Sequence, residues 1–319
     1  MMRMRLVVLS TLVLTISGLN AQIVKKHGLL KVVGTQLKDE RGAEVVLRGM
    51  SFGWHNWWSE YYTAGAVKWL ANDWECTVVR AAMGIEPEGG YLNRKEESFN
   101  TIKTVIESAI KEDIYVIVDW HSHSINTSAA KEFFTKIARQ YGSYPHLIYE
   151  IFNEPDYESW QDVKDYSVEL IKTIRAIDPD NIILVGSPHW DQDIHLAAND
   201  PIKGFSNLMY TMHYYAATHK QWLRDRTAEA IEKGLPIFIS ECAGMEATGD
   251  GSLNIEEWQS WINWAEERKI SWVTWSVSAK QEACSVLLPD ANPEGGWNES
   301  QLRESGILAR RFIKKYNSN

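Results

Sequence analysis

The chain has 319 residues, 45% of them hydrophobic and 24% charged, with a formal net charge of −9 at neutral pH. This is ordinary globular composition with apolar material for one large core, and barrels of roughly 250 residues are routinely single domains. The acidic balance repels phosphate backbones and argues against nucleic acid as a partner, while a neutral polymer would be indifferent to it.

The first segment, MMRMRLVVLSTLVLTISGLNAQ, has basic Arg3 and Arg5, then an apolar run, then small residues ending at Ala21. That is the pattern of a secretory signal peptide over residues 1–21. A membrane anchor is the alternative, but the uninterrupted apolar part falls short of the roughly 20 residues a span needs. No Cys stands at the cleavage region, so a lipid-anchored form is not indicated. Removing two arginines and no acidic residue takes the charge to −11. A secreted protein, extracellular or periplasmic, is expected, with no membrane association after signal removal and a monomeric state. Residues 22–319 contain no Pro/Ser/Thr-rich linker, low-complexity tract or short repeat, and read as one domain. Cys76, Cys242 and Cys284 are too few for a disulfide framework and fit no common zinc spacing. One bridge between two of them is open in an oxidising compartment.

In chain order, a hairpin-like part comes first, LLKVVGTQLKDERGAEVV, with a turn expected at Arg41–Gly42. Eight β-rich runs follow: VLRGMSF, TVVRAAM, YVIVDW, LIYEIFN, IILVGS, LMYTMHYY, PIFISE and SWVTWSV. Helical patterns lie between them. SFNTIKTVIESAIKED offers Ser98 as an N-cap and places Ile102, Val105, Ile106, Ala109 and Ile110 at helical spacing. SAAKEFFTKIARQYG ends on Gly142, a plausible C-cap. WQDVKDYSVELIKTIRAIDP, HKQWLRDRTAEAIEKG and NIEEWQSWINWAEERK have the same character, and a weak, short helix is expected around His195–Asn199. Near-continuous apolar strands alternating with helices imply a parallel sheet buried on both faces. Eight such units favour a (β/α)8 TIM barrel, an α/β fold, with a short N-terminal hairpin. An open doubly wound sheet is disfavoured because no Gly-rich turn follows the first strand.

Functional groups in such a barrel come from the C-terminal strand ends. Those ends read Arg80, Asp119-Trp120-His121, Asn153-Glu154, His213 with Tyr215, Glu241, and Trp275. A further carboxylate, Glu150, sits inside the fourth run. Glu154 and Glu241 each follow an apolar strand, where a charge is costly unless paired or used. One alone could be a salt-bridged rim residue. Two, beside Arg80, His213 and Tyr215, suit an acid/base pair of the kind glycoside hydrolysis needs.

At these residues the sequence resembles glycoside hydrolase family 5, the former cellulase family A. IYEIFNEP matches its signature, with VVRAAM, VIVDWH, MHYYAATH, FISE and WVTWSVSAKQEA in the same order. It looks closest to secreted bacterial-type endo-β-1,4-glucanases. The resemblance implies a retaining mechanism on a β-glucan polysaccharide, with Glu154 as general acid/base and Glu241 as nucleophile; the residues alone give the pair and not the order. It implies that Asn153 holds the 2-hydroxyl of the sugar, that Arg80 and Tyr215 bond Glu241, and that His213 lies near Glu154. His121 would bind the same sugar over a floor made by Trp275. No cofactor or metal is implied.

Fifteen tryptophans are present. Trp69, Trp74, Trp222, Trp258, Trp261 and Trp264 sit in helical patterns and are expected in packing. Trp57 and Trp190 follow strands in loops, where the family places sugar platforms. Lys280 and Glu282 match family positions that contact a more distant glucose; a surface ion pair is the alternative. The His-x-His of DWHSH suggests a metal, but no complete ligand set accompanies it, and His123 reads as a loop residue. The chain departs from its nearest relatives at Cys242, where a Trp often follows the nucleophile, and at Gly84, where a Tyr is common. It also has Phe52 and Gly53 where a His often stands. Related glycanase activity on mannan, xyloglucan or mixed-linkage glucan, and a non-catalytic sugar-binding barrel, are the competing expectations.

Overall fold

The computed structural model describes residues 22–318, so the expected signal segment lies outside the described residues. Among the described residues ten strands are formed: β1 Lys31–Val33, β2 Gln36–Lys38, β3 Arg48–Phe52, β4 Val78–Gly84, β5 Tyr115–His121, β6 Leu147–Glu150, β7 Ile182–Val185, β8 Leu208–Tyr215, β9 Ile237–Ala243 and β10 Trp272–Val277. Strands β3 to β10 pair in parallel, each with its neighbour in sequence, and β10 returns to β3 to close the barrel. These are the eight β-rich runs in their expected order. Every residue of β4, β5 and β9 is buried, as a parallel sheet covered by helices outside and side chains inside requires.

Alternation decides which residues face inward. In β5, Val116, Val118 and Trp120 pack outward with the helices, while Tyr115 and Ile117 join the lower interior cluster. Asp119 and His121 continue that inward row by the period of two. Trp120, although at a strand end, therefore belongs to the outer layer, against Phe133 and Phe134 of the helix Thr127–Tyr141. The lower interior is plugged by Val24, Leu30, Leu37, Val45 and Leu47 from the N-terminal segment. A hairpin turn precedes the expected one: β1 and β2 pair Val33 with Gln36, so the chain first reverses at Gly34–Thr35. Arg41–Gly42 form a second turn, closed by the bridge Lys38–Glu44.

The helices Lys95–Glu112, Thr127–Tyr141, Trp160–Arg175, Gln221–Glu232 and Ile255–Glu267 match the five strong helical patterns, and Ile194–Asn199 matches the weak one. Ser98 is not an N-cap, because its helix begins at Lys95 and buries it one turn inside. Gly142 does cap its helix. Ala64–Asn72 and the C-terminal Glu304–Asn317 are helices not singled out in the sequence. Trp74, Trp258 and Trp261 are core residues, but Trp222 is exposed, set under Arg226 and beside His219. Cys76, Cys242 and Cys284 are all buried free thiols. No helix of the described residues is long and apolar enough to cross a membrane.

Candidate active site

Four inward rows deliver polar groups to the upper end of the barrel. They are Arg80 above Val78, Asp119 and His121 above Ile117, Glu150 above Ile148, and Thr211, His213 and Tyr215 above Met209. Strand β9 breaks the rule. Its register against both neighbours gains one residue: Phe238 and Glu241 face Thr211 and His213, and Ile239 and Cys242 face Trp272 and Thr274. A β-bulge inserts one such residue and re-aims the side chains beyond it. Ser240 and Glu241, adjacent in sequence, both reach the interior network as a result.

Arg80 is the hub. Its side chain is wholly buried, with Nε donating to Glu150 at 2.7 Å, Nη1 to Glu241 at 3.1 Å and Nη2 to Asn153 Oδ1 at 2.6 Å. Asp119 lies 2.9 Å from Nη2. Burial opposes this charge, but Asp119, Glu150 and Glu241 more than compensate and hold Arg80 protonated. Burial likewise opposes ionised Glu150, and Arg80 with His213 overcomes it, taking Glu150 down to about 2. Buried charges persist only when paired in this manner.

The two candidate glutamates meet above this layer. One oxygen from each of Glu154 and Glu241 and a ring nitrogen of His213 lie within 4.8 Å of one another. Glu241 accepts from Tyr215 Oη at 2.6 Å and from Arg80. Glu154 pairs with His213 Nδ1 at 2.9 Å, and His213 Nε2 lies 2.9 Å from Ser240 Oγ. Burial and the facing Glu154 push Glu241 above the usual carboxylate range. At Glu154 burial acts in the same sense, but the hydrogen bond and charge of His213 outweigh it and bring the group down. The carboxyls therefore compete for one proton, and the charge on His213 weighs on which of them holds it. Burial would strip the imidazole of its second proton, yet Asp191, Glu150 and Glu154 hold it on, raising His213 well above its ordinary value.

His121 Nδ1 lies 2.7 Å from Asp119 Oδ2, and the ring stacks parallel to Trp275, ring centres 5.0 Å apart. Burial, reinforced by Arg80, keeps this imidazole neutral. A cleft of about 510 Å³ opens beside the acid pair, lined among others by His123, Glu154, Trp190, His213, Tyr215 and His219.

Residues 38–281 match the model of the cellulase family, glycosyl hydrolase family 5. The chain is 41% identical over 307 residues to endoglucanase A of Evansella cellulosilytica, covering 94% of this chain and 62% of that protein. A solved structure from Cytophaga hutchinsonii superposes with a TM-score of 0.91 at 41% identity, over 93% of this chain and 97% of that one. An endoglucanase catalytic domain from Thermobifida fusca, solved with cellotetraose, gives 0.87 at 33% identity, over 92% and 99%. The chain belongs to the cellulase family, glycosyl hydrolase family 5. It spans 60% to 65% of the length of the first curated relatives it matches.

The structure of this cellulase-family chain brings the expected inner residues together and leaves the expected rim residues spread around them. Arg80, Asn153, Glu154, His213, Tyr215, Glu241, His121 and Trp275 all converge. Trp190 lines the cleft and meets the exposed Tyr157 edge to face. Trp57 is half exposed and packs on Trp54. Lys280 and Glu282 are paired with each other, and Glu282 also accepts from Cys284. His123 is a loop residue as expected, but it comes within 3.8 Å of Glu154.

Trp54 is the residue missed. Its ring lies edge-on to His121 at 4.3 Å and stacks with His123 at 5.9 Å. It seats on Gly84, where an added Cβ would come within 2.7 Å of the indole. The glycine noted as a departure is thus the signal that could have found it. Glu154, His213 and Glu241 are the only His/Cys/Asp/Glu trio among the described residues close enough to share a cation. Their atoms are already committed: a doubly protonated His213 has no lone pair to give, and Glu241 is held by Arg80 and Tyr215.

Proposed function

We propose that this protein is a retaining endo-β-1,4-glucanase that cleaves internal β-1,4-glucosidic bonds of cellulose and related soluble β-glucans by double displacement. The observation that carries the reading is the approach of Glu154 and Glu241 to within 4.8 Å. Retaining glycosidases hold their carboxyls about 5–5.5 Å apart, whereas inverting enzymes leave roughly 6.5–9.5 Å for a water. The protein's own groups favour the shared proton on Glu241, and the reaction uses the form of the pair in which Glu154 carries it: Glu154 protonates the leaving oxygen while ionised Glu241 attacks the anomeric carbon and forms a glycosyl-enzyme ester. Glu154, now ionised, takes a proton from the incoming water, which displaces Glu241 and completes the cycle. Arg80 and Tyr215 hold the Glu241 oxygens in line. Asn153 Nδ2 is buried without a protein partner and is the donor available to the sugar 2-hydroxyl. His121 and Trp275 form one wall of that subsite. Trp190, Trp57 and, further out, Lys280 with Glu282 contact neighbouring glucose units, since flat apolar faces suit the C–H faces of sugar rings.

Purified protein should release reducing ends from carboxymethyl-cellulose, and Glu241→Gln should abolish this with the fold intact. Full activity in that variant would refute the assignment. Rates on cellulose and mannan derivatives compared side by side identify the backbone sugar. The reading also includes export as a monomer after removal of residues 1–21, supported by the basic, apolar and small-residue order of that segment. Secreted protein should begin at Gln22 and elute from a sizing column as one chain.

A further inference from the structure

Asp191 takes no part in the chemistry above, yet it is fully buried directly behind it. Its Oδ1 accepts from Ser187 N–H at 2.5 Å and its Oδ2 from the Thr211 hydroxyl at 2.6 Å. The same Oδ2 lies 3.4 Å from His213 Nε2. The backbone that delivers it is strained: His189, Trp190 and Asp191 have φ of 59°, 53° and 59° in succession. A left-handed conformation is unfavourable for any residue with a side chain, and such strain concentrates at functional sites. The segment is also tied to the acid residue's neighbour, because Trp190 N–H donates to the Pro155 carbonyl at 3.0 Å.

We propose that Asp191 is a positioning residue that acts through His213 on Glu154, holding the imidazole charged and thereby setting the upper pH limit of catalysis. The inference rests on the retaining-glucanase reading. The anionic groups facing His213 are Glu154 from the loop after β6, Glu150 from β6, Glu241 from β9 and Asp191 from the loop after β7. Arg80, His121 and His219 are its nearer basic neighbours, and Ser240 and Thr211 supply hydroxyls. Among the anions, Glu150 is claimed by Arg80 and Glu241 by Arg80 and Tyr215. Asp191 is the carboxylate whose one cationic contact is His213.

The sign follows from the pairing. An imidazolium beside Glu154 favours its carboxylate, so the acid loses its proton at lower pH. Without the buried counter-charge, His213 sheds its second proton, and Glu154 then keeps its own to higher pH. Burial pushes Asp191 well above the usual carboxylate range, and the His213 imidazolium, the Thr211 hydroxyl and the Ser187 amide work against it, so Asp191 is ionised only while His213 is charged and the two charges stand or fall together.

The test uses Asp191→Asn, because Asn tolerates left-handed backbone, with Asp191→Gly as a second variant suited to the same angle. On a cello-oligosaccharide, whose leaving group needs a proton, the basic limb of kcat/KM should move up by about one pH unit. On a cellobioside with an activated aryl leaving group, the basic limb should not move. In nitrogen-detected NMR, His213 should lose its second proton at lower pH in both variants than in the parent protein. A limb that stays in place or moves down, an equal shift on both substrates, or an unchanged His213 titration would overturn the inference. Failure of the parent protein to cleave either substrate would instead overturn the glucanase reading.

Discussion

The guanidinium of Arg80 bonds Glu150 at 2.7 Å with neither side chain touching water. The same cation reaches Asp119 and Glu241, so one buried positive charge organises three carboxylates. Arg80→Met should therefore leave several buried charges uncompensated. Breaking a buried pair costs about 3–5 kcal/mol, and urea unfolding should register a loss of that size. Activity should fall with it, because Glu241 loses one of its two donors. Unchanged stability would mean that the carboxylates are held by other means.

Tyr215 supplies the second donor. Its hydroxyl bond favours ionised Glu241, against the burial that pushes the group up. Tyr215→Phe should let Glu241 take up its proton at higher pH, so the acid limb of kcat/KM should move upward. A hydrogen bond to a charged group is worth about 1.5–3 kcal/mol, or roughly ten- to a hundred-fold in rate. A pH profile on soluble substrate measures both effects, and an acid limb moving downward would contradict the assignment of Glu241 as the ionised partner.

Most of this machinery is legible in the sequence because a parallel strand shows its inward row by simple alternation. Val78 to Arg80, Ile117 to Asp119 and Met209 to His213 are steps of two in the text of the chain. The closed barrel follows from eight such strands with helices between. What alternation hides is the β9 bulge, since Phe238, Ser240 and Glu241 cannot all face inward at a period of two. Nor does the sequence tell that Glu150, inside an apolar run, is the counter-ion of Arg80, which lies 70 residues away. Trp54 and Asp191 were missed for a related reason: each matters through the residue it packs on, Gly84 and His213. Trp222 misled in the opposite direction, because helical spacing places it on a helix but does not say which face meets water.

Acid should unfold this protein partly through Glu150. That group titrates at about 2 in the fold, against 4.5 unperturbed, because Arg80 and His213 overcome the burial that would raise it. A carboxyl depressed by folding contributes stability above its unfolded value and loses it as pH falls toward its folded value. The expected loss is about 3 kcal/mol between pH 4.5 and 2. Thermal melts across that window should show the decline, and Glu150→Gln should flatten it.

Gly84 should tolerate no side chain without cost to binding. A Cβ there would collide with Asn56 Oδ1 and come within 2.7 Å of the Trp54 ring. Gly84→Ala should push Trp54 away from His121 and disturb Trp57, which packs on it. Glu154 follows β6 and Glu241 stands on β9, both away from Gly84 on β4, so KM for cello-oligosaccharides should rise several-fold with a smaller change in kcat. Steady-state kinetics on a chain-length series would check this, and an unchanged KM would remove Trp54 from the binding surface.

The most direct test is the anomeric configuration of the first product. Proton NMR of cellopentaose during its first minutes of cleavage resolves the new reducing end before mutarotation. Two carboxyls converging on one acetal predict that the β anomer appears first and the α anomer only later. Early α product would mean that water, not Glu241, attacks the sugar, and double displacement would have to be abandoned.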